Sequence, residues 1–304
     1  MFTLPKSLDE PVISLLATLN DGRKFPVINF GTYQITGRST ILKVIDAALK
    51  AGYRGIDTAA VYRNEADIGH ALKELLPKYN LRREDIYITS KLAPSDHGSE
   101  ERVTKAVHSS LQNLDISYLD LYLIHWPAAQ GISPADPSNS TIRSKTWETL
   151  SKLHDNGNGV LKSIGVSNYT AEHIKQLLET SSVIPAVNQV EFHPHWQQTE
   201  ELHSICEEHK ILLQAYSSLG GTSNKSLLKD PVVERIAKKT GLSPAQVLLR
   251  WALQRNYAIV PKSVTPERIE NNADLNEALS DEEMSELNNI GLKKKYAWNP
   301  DVVR

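Results

Sequence analysis

The sequence predicts an α/β protein built as a (β/α)8 TIM barrel, and three observations carry that reading. Short apolar, β-branched runs alternate with amphipathic helical patterns from one end of the chain to the other. There are eight such runs, the number at which a parallel sheet closes on itself. No G-x-G-x-x-G follows the first of them, which weakens the open, doubly wound sheet as an alternative. In chain order, Val12–Leu19 and Lys24–Val27 flank the turn sequence Asn20-Asp21-Gly22 and are read as a β-hairpin plugging the N-terminal end of the barrel. The barrel strands are placed at Val27–Phe30, Gly55–Asp57, Ile86–Lys91, Leu119–His125, Ser163–Ser167, Ala186–Val190, Leu212–Tyr216 and Ile259–Pro261. Helices lie between them, as at Ala66–Leu76, Glu101–Leu114, Ile174–Glu179 and Ala245–Gln254, with extra helices expected at the C-terminal end. Ala128–Ser140, rich in Pro, Ser and Ala, is the longest structureless stretch and a candidate loop over the site. No linker-like segment, low-complexity tract or exact repeat interrupts residues 1–304, so one domain is expected.

Composition bounds the function classes. A chain of 304 residues with 40% hydrophobic and 23% charged residues is ordinary for a soluble protein with a large core. Its 34 basic and 36 acidic residues leave a net charge of −2, which offers nothing to nucleic acid or an anionic membrane. The run Lys293-Lys294-Lys295 reads as a solvated tail. The one cysteine, Cys206, has no internal partner and falls in a helical pattern, so a buried structural thiol in a reducing compartment is expected. No apolar run reaches the roughly 18 residues of a membrane span, and the N-terminus lacks a signal-peptide core; a cytoplasmic protein is expected.

A barrel of this kind carries its active site where the strands end. Read in order, the strand ends give Asp57, Lys91, His125, Ser167-Asn168, Gln189, Tyr216-Ser217 and Lys262-Ser263. Each has a plain reading alone: Asp57 as a helix cap, Lys91 as an exposed strand terminus, His125 as a hydrogen-bonded core histidine. Together they would converge on one mouth.

The segments around these residues resemble the aldo-keto reductases. Gly52-Tyr53-Arg54-Gly55-Ile56-Asp57-Thr58-Ala59-Ala60-Val61-Tyr62 is similar to that family's signature, followed by Ile88-Thr89-Ser90-Lys91, Leu121 to Pro127 with His125-Trp126, Gly165-Val166-Ser167-Asn168 and Asn188-Gln189-Val190-Glu191. The segment Val260-Pro261-Lys262-Ser263-Val264-Thr265-Pro266-Glu267-Arg268 continues the likeness, which keeps the family's order from about residue 25 to 290.

The resemblance implies a catalytic tetrad of Asp57, Tyr62, Lys91 and His125. Hydride transfer to a carbonyl builds negative charge on oxygen, which needs a proton donor and a positive field. Tyr62 is the implied general acid. A free phenol has a pKa near ~10, and the Lys91 ammonium is expected to lower it, with Asp57 holding Lys91 charged and in place. His125 is implied to hydrogen-bond the substrate oxygen; relatives that reduce steroid C=C bonds carry glutamate there, so carbonyl reduction is favoured. The implied cofactor is NADPH/NADP+. Ser167, Asn168 and Gln189 match the carboxamide partners, Tyr216 the ring that stacks on the nicotinamide, and Ser217, Leu219 and Ser223 the loop over the pyrophosphate. Thr32, Asp57, Val264, Asn271 and Asn272 complete the implied cofactor set. At the adenosine end, Lys262, Ser263, Arg268 and the helix start after Thr265-Pro266 would meet the 2′-phosphate. No metal is implied, because the histidines show no ligand spacing.

The implied substrate walls are Tyr33, Tyr62, His125, Trp126 and Trp298, around a small aldehyde or ketone; steroid, sugar, prostaglandin-like and keto-acid substrates stay open. Neither nucleic acid nor membrane is an expected partner, and a monomer or weak oligomer is expected. Tyr33 stands where many relatives have tryptophan, Ser218 replaces a frequent proline, Asn271 a frequent glutamate, and the tail from Gly291 to Arg304 is short. Two other readings use the same barrel: a redox-sensing subunit that binds cofactor with little turnover, and a Schiff-base aldolase built on Lys91.

Overall fold

The computed structural model describes residues 10–155, 159–221 and 226–304. The hairpin forms from β1 (Leu16–Thr18) and β2 (Lys24–Pro26), antiparallel with Leu16 opposite Pro26. It is shorter than its sequence pattern because Val12–Ser14 winds into a 3-10 turn behind Pro11, whose carbonyl accepts the Ser14 hydroxyl at 2.7 Å. Gly22 takes φ +85° in the turn, a value that glycine adopts at little cost. The hairpin lies across the N-terminal ends of the barrel strands. Phe25 packs edge-on against Tyr87 at 5.0 Å, the Ser163 hydroxyl donates to Asp21 Oδ2 at 2.5 Å, and Asn20 Nδ2 donates to the Pro185 carbonyl at 2.9 Å.

Eight parallel strands follow in sequence order: β3 (Asn29–Gly31), β4 (Gly55–Asp57), β5 (Tyr87–Leu92), β6 (Leu119–Ile124), β7 (Leu161–Ser167), β8 (Val187–Glu191), β9 (Leu212–Tyr216) and β10 (Ala258–Ile259). The seam between first and last is closed by the Ile28–Ile259 bridge, by Ile259 N–H to the Val27 carbonyl at 2.8 Å, and by Gly31 N–H to the Pro261 carbonyl at 2.9 Å. A Cβ on Gly31 would lie 2.9 Å from the Val260 carbonyl oxygen, so the seam needs glycine there. Every strand expected from the sequence is present, with shifted ends at the seam. Val27 and Ile28 join by single bonds instead of a ladder, and β10 stops before Pro261, which has no N–H to give.

Ten helices surround the barrel: α1 (Arg38–Lys50), α2 (Glu65–Lys78), α3 (Glu100–Leu114), α4 (Ser138–Asp155), α5 (Ala171–Thr180), α6 (Glu200–Glu208), α7 (Pro231–Thr240), α8 (Pro244–Gln254), α9 (Pro266–Ala273) and α10 (Asp281–Asn288), counted among the described residues. Eight follow the strands; α7, which precedes α8 in one crossover, and α10 are additional. Their starts are signalled locally, since Ser243 and Ser280 form capping boxes with Gln246 and Glu283 and Asp230 caps α7 ahead of Pro231. Among the described residues no helix is long and apolar enough to cross a membrane.

Two expectations are corrected. The expected loop Ala128–Ser140 is shorter than read from the sequence: Ser138–Ser140 open α4, and buried Asn139 ties the remaining loop together by accepting from Ala129 N at 3.1 Å and donating to the Ser133 carbonyl at 2.9 Å. The lysine run is solvated only at Lys293, which is exposed. Lys295 is largely buried, 3.1 Å from the buried Glu191 carboxylate and 4.4 Å above the Trp196 ring, because a buried carboxylate needs a cation.

Candidate active site

The barrel's C-terminal mouth gathers the strand-end residues that the sequence singled out. Asp57 ends β4, Lys91 lies one residue from the end of β5, and His125 follows β6. Tyr62 closes a 3-10 turn, Ala60–Tyr62, and Arg63 behind it takes φ 56°, which reverses the chain. Buried Asn64 fixes that turn: it accepts from the Thr58 hydroxyl at 2.6 Å and donates to the Thr32 and Ile35 carbonyls at 3.0 and 2.9 Å. Thr32 sits beneath Asp57, its hydroxyl donating to the Asp57 carbonyl at 2.8 Å.

Lys91 Nζ donates to Asp57 Oδ1 at 2.5 Å, to the Thr58 carbonyl at 2.9 Å and to the Tyr62 hydroxyl at 3.4 Å. These three contacts use the three protons of the ammonium. Burial lowers the Lys91 pKa, opposed by Asp57 and more weakly by Glu65. The Tyr62 hydroxyl moves opposite to the expected direction. Burial, then the Asp57 carboxylate, push it well above the ordinary phenol value. Asp57 offsets the Lys91 charge, so desolvation decides and the group is a neutral phenol. The Tyr62 and His125 ring centroids are 5.6 Å apart. Burial and the Lys91 ammonium hold His125 down at about 3, so it is a neutral imidazole, and its Nδ1 is buried without a partner among the described residues.

Beside this cluster, Ser167, Asn168, Gln189 and Tyr216 form one polar network. The Ser167 hydroxyl donates to the Gln189 carbonyl at 2.8 Å, and Asn168 Nδ2 donates to the His125 carbonyl at 3.0 Å and to Ser167 Oγ at 3.1 Å. The Tyr216 hydroxyl donates to Asn168 Oδ1 at 2.7 Å, and Gln189 Nε2 donates to Asp57 Oδ2 at 2.8 Å. The donors of this set are largely spent internally, and its remaining capacity is as acceptors, which suits a ligand NH2 group. Ser217, at φ 52°, turns the chain after β9 toward Leu219, which packs partly buried on the core; Ser223 lies outside the described residues.

After β10, Lys262 and Ser263 are partly buried, whereas Val264 and Arg268 are exposed. The Ser263 hydroxyl turns back to accept the Thr265 N–H at 3.1 Å. Among the described residues no side chain caps the start of α9, and burial lowers the Lys262 pKa. An uncapped helix start between a partly desolvated lysine and an arginine fork fits an anion. Asn271 is exposed on α9 and Asn272 is buried, so only Asn271 faces outward.

The outer wall is aromatic. Tyr33 packs on Tyr62 at 5.1 Å and Trp126 meets Trp298 edge-on at 5.9 Å. Trp298 is 74% exposed, so what places it is the tail beneath it. Glu191 Oε1 accepts from the Tyr296 N–H at 2.5 Å, and Arg143 Nη1 donates to the Arg304 carbonyl at 2.7 Å. Sequence reasoning missed Arg143, Glu191 and Gln214 as parts of the site. Gln214 left a signal, as a polar residue within an apolar strand; Arg143, on α4, left none.

The geometry has its counterpart in the comparisons. The model of the Aldo/keto reductase family matches residues 27–291. Glycerol 2-dehydrogenase (NADP(+)) of Saccharomyces cerevisiae is 39% identical over 92% of this chain and 91% of its own length. Glyoxal reductase of Bacillus subtilis is 37% identical over 98% of this chain and 99% of its own. Among solved structures, the aldose reductase from Schistosoma japonicum superposes with a TM-score of 0.81 at 40% identity, covering 94% of this chain and 93% of that one. The fold and the site define an α/β-barrel oxidoreductase. The chain belongs to the aldo/keto reductase family.

Proposed function

We propose that this chain reduces the carbonyl group of a small aldehyde or ketone to an alcohol with NADPH, using Tyr62 as the proton donor. The observation that carries the reading is the Asp57–Lys91–Tyr62 cluster, with Lys91 Nζ 3.4 Å from the phenol oxygen and His125 beside it. A reduced nicotinamide supplies, when bound, a hydride to the carbonyl carbon. Neutral His125 donates an N–H to the carbonyl oxygen and orients it. The Tyr62 O–H bond breaks as its proton passes to that oxygen, and Lys91 stabilises the phenolate left behind. Asp57 keeps Lys91 charged in a site that would otherwise discharge it.

Ser167, Asn168 and Gln189 hold the carboxamide, Tyr216 packs on the ring, and Thr32, Ser217 and Leu219 line the path toward the phosphates. The cations Lys262 and Arg268, with the start of α9, read the 2′-phosphate. The yeast relative is named for NADP(+) and the Bacillus relative for glyoxal, which supports both this cofactor and a small carbonyl substrate. An aldolase built on Lys91 is disfavoured, since its ammonium is fully buried and bonded to Asp57, Thr58 and Tyr62. A single buried thiol, Cys206, pushed up to about 12 by burial, suits a reducing cytoplasm.

Equilibrium binding of NADPH and NADH to wild type and Arg268→Ala tests the cofactor assignment. Loss of the guanidinium is expected to weaken NADPH by about 1.5–3 kcal/mol, the range for charged hydrogen bonds, and to leave NADH nearly unchanged. Equal losses for both, or a wild-type preference for NADH, would refute it.

A further inference from the structure

Gln214 is fully buried in the barrel, opposite Gln189 on the neighbouring strand β8. Gln189 Nε2 donates one proton to Asp57 Oδ2 at 2.8 Å and the other to Gln214 Oε1 at 2.7 Å. Both amide protons are thereby spent, and Gln189 Oε1 remains as an acceptor. Gln214 Nε2, in contrast, is buried with no partner among the described residues. A buried donor left unpaired is destabilising, and methionine, of similar length, would remove the defect. Stability therefore gives no reason for a glutamine at this position; the bond from Gln189 does. Asp57 alone would restrain one N–H and leave the second free to turn toward the mouth.

We propose that Gln214 is a positioning residue that makes Gln189 an acceptor-only reader of the carboxamide NH2 of the nicotinamide. The inference rests on the cofactor reading above. It links recognition of the cofactor to the carboxylate that holds Lys91, because Gln189 bonds both Gln214 and Asp57. A ligand that offers an NH2 meets an acceptor, and one that offers only a carbonyl meets no donor from Gln189.

The test compares Kd values of the full chain for NADPH and for its 3-acetylpyridine analogue, in which an acetyl group replaces the carboxamide and removes the NH2. Wild type is expected to prefer NADPH. Gln214→Met is expected to cut that preference about three- to tenfold, the scale of one hydrogen bond, by freeing a Gln189 N–H to meet the acetyl oxygen. Its melting temperature is expected to stay level or rise, as a merely structural role would not allow. An unchanged ratio in the folded variant overturns the proposal. Should Gln214→Met fail to fold, the isosteric Gln214→Glu keeps the acceptor and should keep the wild-type ratio; its loss would count equally against the idea. Wild type failing to bind NADPH overturns the cofactor reading together with the inference, whereas NADPH binding with an unchanged ratio overturns the inference alone.

Discussion

Replacing Lys91 with methionine removes one half of a buried ion pair and isolates the other. In the wild type Asp57 is 3% exposed, with Lys91 on Oδ1 at 2.5 Å and Gln189 on Oδ2 at 2.8 Å. Breaking such a pair on one side typically costs about 3–5 kcal/mol, since it leaves an uncompensated charge out of water. The remaining Gln189 bond places Lys91→Met near the lower end, about 3 kcal/mol, read from urea unfolding followed by circular dichroism. Asp57→Asn/Lys91→Met removes both charges and should be more stable than Lys91→Met alone. A loss below about 1 kcal/mol, or a double variant no better than the single, would refute the claim that Asp57 depends on Lys91.

His97 and His173 are each buried and held at about 4, chiefly by burial, against an ordinary 6.5. The unfolded chain therefore takes up protons first as pH falls, so their contribution is intact above about 6.5 and is lost toward about 4. Each can contribute at most ~1.4 kcal/mol per pH unit in that window, and mutating either to glutamine should flatten the pH dependence of the urea midpoint there. Trp126→Ala opens the wall against Trp298 and is expected to raise KM and reorder a panel of aldehydes while NADPH affinity holds; a collapse of NADPH affinity with an unaltered panel would place Trp126 elsewhere.

The barrel was legible because a buried parallel strand leaves a short apolar run, and eight such runs stand between helical patterns. What blurred was the seam, where Val27 and Ile28 contribute single bonds and Pro261 cannot extend a ladder. Asp57, Lys91 and His125 could be suspected as polar groups ending apolar strands. Tyr62, in a turn beyond a strand, was legible only by family resemblance. The direction of its pKa shift was not, because it depends on how completely Asp57 offsets Lys91 and on how deeply the phenol is buried. The tail's anchorage was also invisible locally, since Arg143 reaches the Arg304 carbonyl across 161 positions and Glu191 reaches Tyr296 across 105.

The most direct test of the central claim is a single-turnover reaction of the full chain with NADPH carrying deuterium at the transferable C4 position and a reactive aldehyde. With wild type, one deuterium should appear on the carbinol carbon of the alcohol product as NADPH absorbance decays. Tyr62→Phe should bind NADPH with unchanged Kd and transfer deuterium at least ~10²-fold more slowly, the scale of a lost general acid. Alcohol without deuterium in wild type, or near-normal transfer by Tyr62→Phe, would contradict the account.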